Sequence, residues 1–487
     1  MRSLKLSTVA FLFCCIIGLA PFIWSTDLAA NNRIKLPDIG NTSSAVISAQ
    51  LEKKLGKAFI RSVRRRVPLS GDQEINDYIQ KIGNKIAKSS EQPDRHFNFF
   101  VVNDQRINAF AGPDGHIGIN AGLILTTESE SELASVIAHE VGHVTQQHLK
   151  RAIETASQMA VPNAAATLAA VALGIALGPA ALIAVQAAQV QKQINFTRRH
   201  EAEADRVGVQ NLADAGFDPR SMPIFFGRLQ KASRYYGQKL PEILRTHPAP
   251  ISRVSDTAAR AEKYPYKQVV DSQDFRLVRM RLRVKSKKVS PFDLIKALET
   301  ESAQGIKGIK AAASYGLALA YSADHQYAKA RQTLTRLTLL YPQQYQYQTA
   351  LALNEHADGK IQTAFSILKT AKHRFPQSRA VNLKFSKFLL HTGQPKQALT
   401  FLNKDLQEYP PTPEIYDLLS IAYGQTKKPV RGYQYRAEYL YAYGLTKDAI
   451  VQLEQALLAA GENFYQSSQI ENRIDQLKKE LDAPALL

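Results

Sequence analysis

Three aromatic-proline pairs, Tyr341-Pro342, Phe375-Pro376 and Tyr409-Pro410, recur at a spacing of 34 residues. The same step separates Ala330, Ala364 and Ala398, each followed four residues later by a leucine (Leu334, Leu368, Leu402), and it separates Gly359 from Gly393. A small residue lets two helices approach closely, and a proline stops the second helix and starts the next connection. A period of this kind constrains the fold more than any other feature of the chain. Each unit is a helix pair that must stack on its neighbours to bury its apolar face, so the C-terminal third is expected to form a helical array.

This period is the tetratricopeptide signature. Roughly four units fit between about 300 and 460, followed by a capping helix, and the fourth is degraded, with Gly432 and Gly444 where Ala and Pro would repeat and Arg436 in place of the leucine. Such arrays build a concave, peptide-binding surface and rarely catalyse, so this region reads as a recruitment module. At 487 residues the chain exceeds one compact core, and the chemistry is expected upstream.

The N-terminus suggests export. Arg2 and Lys5 precede the apolar run "LSTVAFLFCCIIGLAPFIW", and small residues near "STDLAA" suit a signal peptidase; an uncleaved anchor is the alternative, and both place the bulk outside the cytoplasm. Cys14 and Cys15, the only cysteines, lie inside this run, so the mature chain has no disulfide framework and any metal is bound by His, Asp or Glu. The net charge of +19, only +1 of it in residues 1–30, favours anionic envelope surfaces or acidic partners, and an exported chain has little access to nucleic acid. The basic clusters at 61–66 and 276–288 read as solvated helix faces.

Residues 31–95 read as helical and polar, whereas "HFNFFVV" (96–102), "RINAFAG" and "HIGINAGLIL" look like short strands with "GPDG" as a turn. "ESELASVIAHEVGHVTQQHLKRAIE" reads as one helix, opened by a capping-box-like Ser129 and Glu132. Thr155 to Gln191 carries no charge; Pro162, Asn163, Gly178 and Pro179 interrupt it, which favours a buried hairpin or a mobile cover over a membrane span.

Within that helix, His139 and His143 are four residues apart and project from one face one turn apart, a pair that can hold one ion. Glu140 sits beside the first, where it can reach a metal-bound water without ligating. His148, nine residues from His139, falls about 180° around a continuous helix and reads as a surface residue. A catalytic zinc takes three protein ligands and keeps one position for water, and no third histidine follows at short spacing. "RRHEAEADRVGVQ" supplies Glu201, on a second expected helix, with Asp205 one turn further on the same face to accept an N–H from a ligating imidazole.

His139-Glu140-x-x-His143 followed by Glu201-x-x-x-Asp205 resembles the zinc metallopeptidase family that includes the CAAX prenyl endopeptidase. With the signal segment, "NAFAGPDGHIGINAGLI" and the C-terminal repeats, nearly all of residues 45–460 are similar to members of that family from the bacterial periplasm. The resemblance implies a mainly α fold: a signal peptide (1–30), an α+β zincin-type metallopeptidase domain with a small sheet (31–288), and a tetratricopeptide solenoid (289–487). It implies one Zn2+ per chain on His139, His143 and Glu201, Glu140 as general base, and Asp205 orienting a ligand. It also makes His247 and Arg253 of "THPAPISR" candidates near the metal. His247 has three readings: oxyanion stabiliser, fourth zinc ligand in a latent state, or a plain loop histidine. The "HIGIN" strand, if it lies at a sheet edge, would hold an extended peptide by backbone hydrogen bonds. Implied clients are unfolded or misassembled outer-membrane β-barrel proteins, with the assembly machinery met through the repeats. A proteolytically silent scaffold or chaperone is the alternative.

Overall fold

The computed structural model describes residues 47–158, 187–236, 241–286, 288–304 and 306–482. The N-terminal apolar run and most of the uncharged segment, 159–186, lie outside them. Among the described residues no helix is long and apolar enough to cross a membrane.

Helices α1 (Ala49–Arg66) and α2 (Gln73–Lys88) come first, opened by Ser48 and Asp72, whose side chains accept the Leu51 and Glu74 N–H groups. Isoleucines 75, 79, 82 and 86 make one apolar stripe on α2, the spacing of a helix that buries a single face. That stripe packs on a three-stranded sheet of β1 (Asn98–Val102), β2 (Ala109–Ala111) and β3 (His116–Asn120), in the order β1-β3-β2. The strand β3 is parallel to β1 and antiparallel to β2. "GPDG" forms the turn, with Asp114 and Gly115 at φ 57° and 72°.

Two sequence expectations change here. "HIGIN" is the central strand rather than an edge, so its backbone is already paired on both sides. "AGLILT" continues it as helix α3 (Ala121–Thr126), because the Gly122 N–H turns to the Asp104 carbonyl at 2.8 Å and leaves the ladder. A Cβ at Gly122 would lie 2.1 Å from the Gln105 carbonyl oxygen, so only glycine allows this close return.

The helix α4 (Glu130–Thr145) crosses behind the sheet with nearly every residue buried. Ser129 caps it by accepting the Glu132 N–H, while the Glu132 carboxylate reaches past the cap to the Glu128 N–H. It stops earlier than the sequence suggests. Gln147 adopts φ 55°, and a separate helix α5 (His148–Gln158) begins, although neither Gly nor Pro marks the break. Next come α6 (Ala187–Asp214), α7 (Ser221–Tyr236), the short α8 (Glu242–Thr246), α9 (Ile251–Ala261) and α10 (Gln273–Lys285).

Two further helices, α11 (Pro291–Ala303) and α12 (Lys307–Ala323), lead into the repeats: α13 (Tyr327–Leu340), α14 (Tyr345–Ala357), α15 (Ile361–Arg374), α16 (Arg379–His391), α17 (Pro395–Glu408), α18 (Pro413–Gln425), α19 (Pro429–Ala442), α20 (Thr446–Ala460) and α21 (Phe464–Asp482). Ala330, Ala364 and Ala398 are fully buried at helix crossings, beside buried Leu334, Leu368 and Leu402. The turn within each pair places one residue in the left-handed region, at His325, Gly359, Gly393, Lys427 and Gly461, all 34 apart. The array therefore keeps its period through the unit whose sequence has degraded, and Gly432 remains buried in α19.

The basic clusters are not simply solvated. Arg281 of α10 is buried, donating to Asp72 Oδ2 at 2.5 Å and to the Tyr315 hydroxyl at 2.8 Å, with Glu74 Oε2 at 3.2 Å. Lys384 of α16 meets Glu74 Oε1 at 2.8 Å, the Thr349 hydroxyl of α14 donates to the same oxygen, and Lys285 pairs with Asp72. Arg61 pairs with Glu480 of α21. Helices α1 and α2 carry carboxylates and guanidiniums that the repeats complete, and this is why charges here are buried.

Candidate metal centre

The helices α4 and α6 approach closely where the motif residues sit. A Cβ at Gly142 would lie 3.0 Å from the Ala204 carbonyl oxygen, and one at Gly208 would lie 3.3 Å from the backbone of His139. This contact brings Glu201 of α6 over the His139–His143 face of α4. The C-terminal end of α8 then delivers His247, whose N–H closes onto the Ile243 carbonyl at 2.7 Å.

Four side chains converge: His139, His143, Glu201 and His247 each offer one ligand atom, all within 4.8 Å of one another. His139 Nε2 lies 3.1 Å from His143 Nε2, 3.3 Å from His247 Nδ1 and 3.3 Å from Glu201 Oε2. Glu201 Oε1 lies 3.3 Å from His143 Nε2 and 3.0 Å from His247 Nδ1. A tetrahedron of zinc bonds of 2.0–2.1 Å has edges of about 3.3 Å, close to the five separations above, so the nitrogen and oxygen donors fit a zinc ion.

Charge gives an independent test of the fit. The buried carboxylates of Glu140, Glu201 and Asp205 face one guanidinium, Arg253, which leaves a formal excess of negative charge that a divalent cation offsets. The side chains register this field. Burial disfavours the His139 imidazolium, yet hydrogen bonds to Asp205 and Glu201 outweigh it and lift its pKa to about 10. Burial would raise the Glu201 pKa, but His247 and His143 hold it well below the usual carboxylate range.

Glu140 is 1% exposed, and among the described residues neither carboxylate oxygen has a hydrogen bond. A buried carboxylate without hydrogen bonds is costly, and beside a metal it is the position of a group that receives a proton from a water. Asp205 Oδ1 lies 2.9 Å from His139 Nδ1, and Arg253 grips Asp205 at 2.7 and 2.8 Å, Glu201 at 2.9 Å and the Pro248 carbonyl at 2.6 Å. Arg253 therefore ties the His247-Pro248 turn to both carboxylates.

His148 is not at the surface. Because α4 ends at Thr145, the 180° projection does not apply, and the ring is buried, with Nδ1 2.8 Å from His143 Nδ1 and Nε2 3.1 Å from Glu203 Oε2. It stacks on His200 at 4.1 Å. Sequence reasoning also missed the fastening of α8: Ile243 N–H donates to the Ile107 carbonyl at 3.0 Å, and Arg106 meets Glu242 at 2.7 Å. These contacts hold the His247 segment at the start of β2. Among the described residues, β2 pairs on one side only and packs against α4, so it replaces "HIGIN" as the edge nearest the site.

Residues 73–261 match Peptidase family M48, and residues 355–421 match the tetratricopeptide repeat. The chain is 32% identical to the beta-barrel assembly-enhancing protease of Escherichia coli K12, covering 92% of each chain. It is likewise 32% identical to that of Yersinia pestis, over 91% of this chain and 92% of the relative. A mitochondrial metalloendopeptidase, OMA1 of Arabidopsis thaliana, is 31% identical over 37% of this chain and 35% of its own.

Proposed function

The chain belongs to the beta-barrel assembly-enhancing proteases of peptidase family M48 and is a metalloendopeptidase, and on that premise we propose that it is an exported, one-zinc enzyme that removes unfolded or misassembled outer-membrane β-barrel proteins in the periplasm. The observation that carries the reading is the convergence of His139, His143, Glu201 and His247 beside the Glu140 carboxylate, whose oxygens have no hydrogen bond among the described residues. The peptidase is assigned to residues 31–288 and the recruiting array to 289–487, with α10 packing on both. The repeats receive clients and the assembly machinery, and hold unfolded chains without cutting them in a chaperone role.

Bound zinc would polarise the scissile carbonyl and lower the pKa of the attacking water. His139, His143 and Glu201 would hold the ion, and Asp205, with Oδ1 2.9 Å from His139 Nδ1, orients that ring. Glu140 takes the proton of the water and returns it to the leaving amine. The free edge of β2 binds the client as an extra strand, which gives loose sequence preference.

For His247 the geometry favours latency. Its Nδ1 lies among the ligand atoms, and its Nε2 points to Glu140 Oε1 at 3.5 Å, so one ring covers both the open position and the base. His247→Ala is expected to raise cleavage of an unfolded β-barrel protein severalfold while keeping zinc. A fall in cleavage would instead assign His247 to the oxyanion. The primary test is zinc analysis of the purified chain: about one ion per chain is expected, with proteolysis lost on chelation and restored by zinc. A chain that takes up no zinc when it is supplied overturns the reading.

A further inference from the structure

We propose that His148 is a positioning residue that sets the ring state of His143: it accepts the His143 Nδ1–H and hands its own Nε2–H to Glu203, so that His143 presents a bare Nε2 to the metal. The inference rests on the zinc reading above and adds a relay outside the ligand set. If Nε2 of His143 ligates, its ring proton must sit on Nδ1. That nitrogen is 2.8 Å from His148 Nδ1, and two protons do not fit between two nitrogens at that distance. His148 Nδ1 is therefore the acceptor, and its proton belongs on Nε2, which faces Glu203 Oε2 at 3.1 Å.

The rest of the neighbourhood fixes this direction. Arg151 donates to the same Glu203 oxygen at 2.7 Å and keeps that carboxylate an acceptor. His200 stacks face to face on His148, with 9° between the rings, which orients the plane that meets His143. The break at Gln147 is what turns His148 inward, since a continuous helix would have pointed it away. The two ligating histidines of α4 are thus oriented differently: His139 meets a carboxylate directly, and His143 reaches one through a second imidazole. A neutral nitrogen pulls on an N–H less than a carboxylate does, so His143 gives the ion less charge than His139.

The test is zinc affinity of the full chain by competition with a chromogenic chelator, alongside melting of the metal-free protein. His148→Phe keeps an aromatic ring but accepts no hydrogen bond, and is expected to weaken zinc about 10- to 100-fold. His148→Asn places an amide oxygen near the position of Nδ1, and is expected to remain within about threefold of wild type. Glu203→Gln should weaken zinc about tenfold with little change in metal-free melting. A purely structural role predicts lowered metal-free melting with affinity unchanged. Wild-type affinity in His148→Phe, or an Asn variant as weak as Phe, overturns the relay. If the Phe variant does not fold, Glu203→Gln decides: weakened zinc supports the relay and wild-type affinity removes it. A wild-type chain without zinc would bring down the metal reading itself, whereas unchanged variants of a zinc-binding chain refute the relay alone.

Discussion

Glu140→Gln is expected to keep a full zinc complement and lose proteolysis by about 10²- to 10⁴-fold, the share a positioned general base contributes. The substitution is nearly isosteric, and the native carboxylate oxygens have no hydrogen bonds among the described residues that an amide would break. Glutamine cannot accept the proton of the attacking water, so the loss should fall on kcat rather than on client binding. Metal analysis and single-turnover cleavage of an unfolded β-barrel protein check this. A variant that cuts at the wild-type rate would take the base role from Glu140.

Glu201→Ala should do the reverse and lose the ion. Glu201 is 3% exposed and lies within 3.3 Å of all three imidazoles of the cluster. Apparent zinc affinities of about 10–16 kcal/mol in four-ligand sites imply about 3 kcal/mol per ligand, or more than a hundredfold weaker binding. The loss is compounded by Arg253, which sits 2.9 Å from Glu201 and would face the ion with one carboxylate fewer between them. Competition with a chelator measures the effect. A Glu201→Ala chain with wild-type zinc and activity would mean that another residue is the third ligand.

The sequence disclosed what is local and periodic. The 34-residue step announced the array, and the i, i+4 spacing of His139 and His143 named a face before any helix was seen. What it concealed depends on chain reversals and on partners remote in sequence. The left-handed turns at His325 and Lys427 continue the period where no glycine marks it. The stop after Thr145 has no Gly or Pro signal, and misplacing it sent His148 to the wrong side. "HIGINAGLIL" alternates like a strand, yet which strand lies at the edge depends on β1 pairing, and a return of the chain to the Asp104 carbonyl ends the ladder. Arg281 looked like one of several solvated cations because its partners Asp72 and Glu74 lie some two hundred positions away.

That last junction bears on how a client is measured. Glu74, in the first turn of α2, is met by Thr349 of α14 and Lys384 of α16, and Arg61 of α1 by Glu480 of α21, so the array is bolted to the peptidase at several points and does not swing on a leash. Under the recruitment role proposed above, a client held by the repeats would reach the metal across a set distance, and at about 3.3 Å per extended residue its contour length from the grip would select the bond that is cut, as on a ruler.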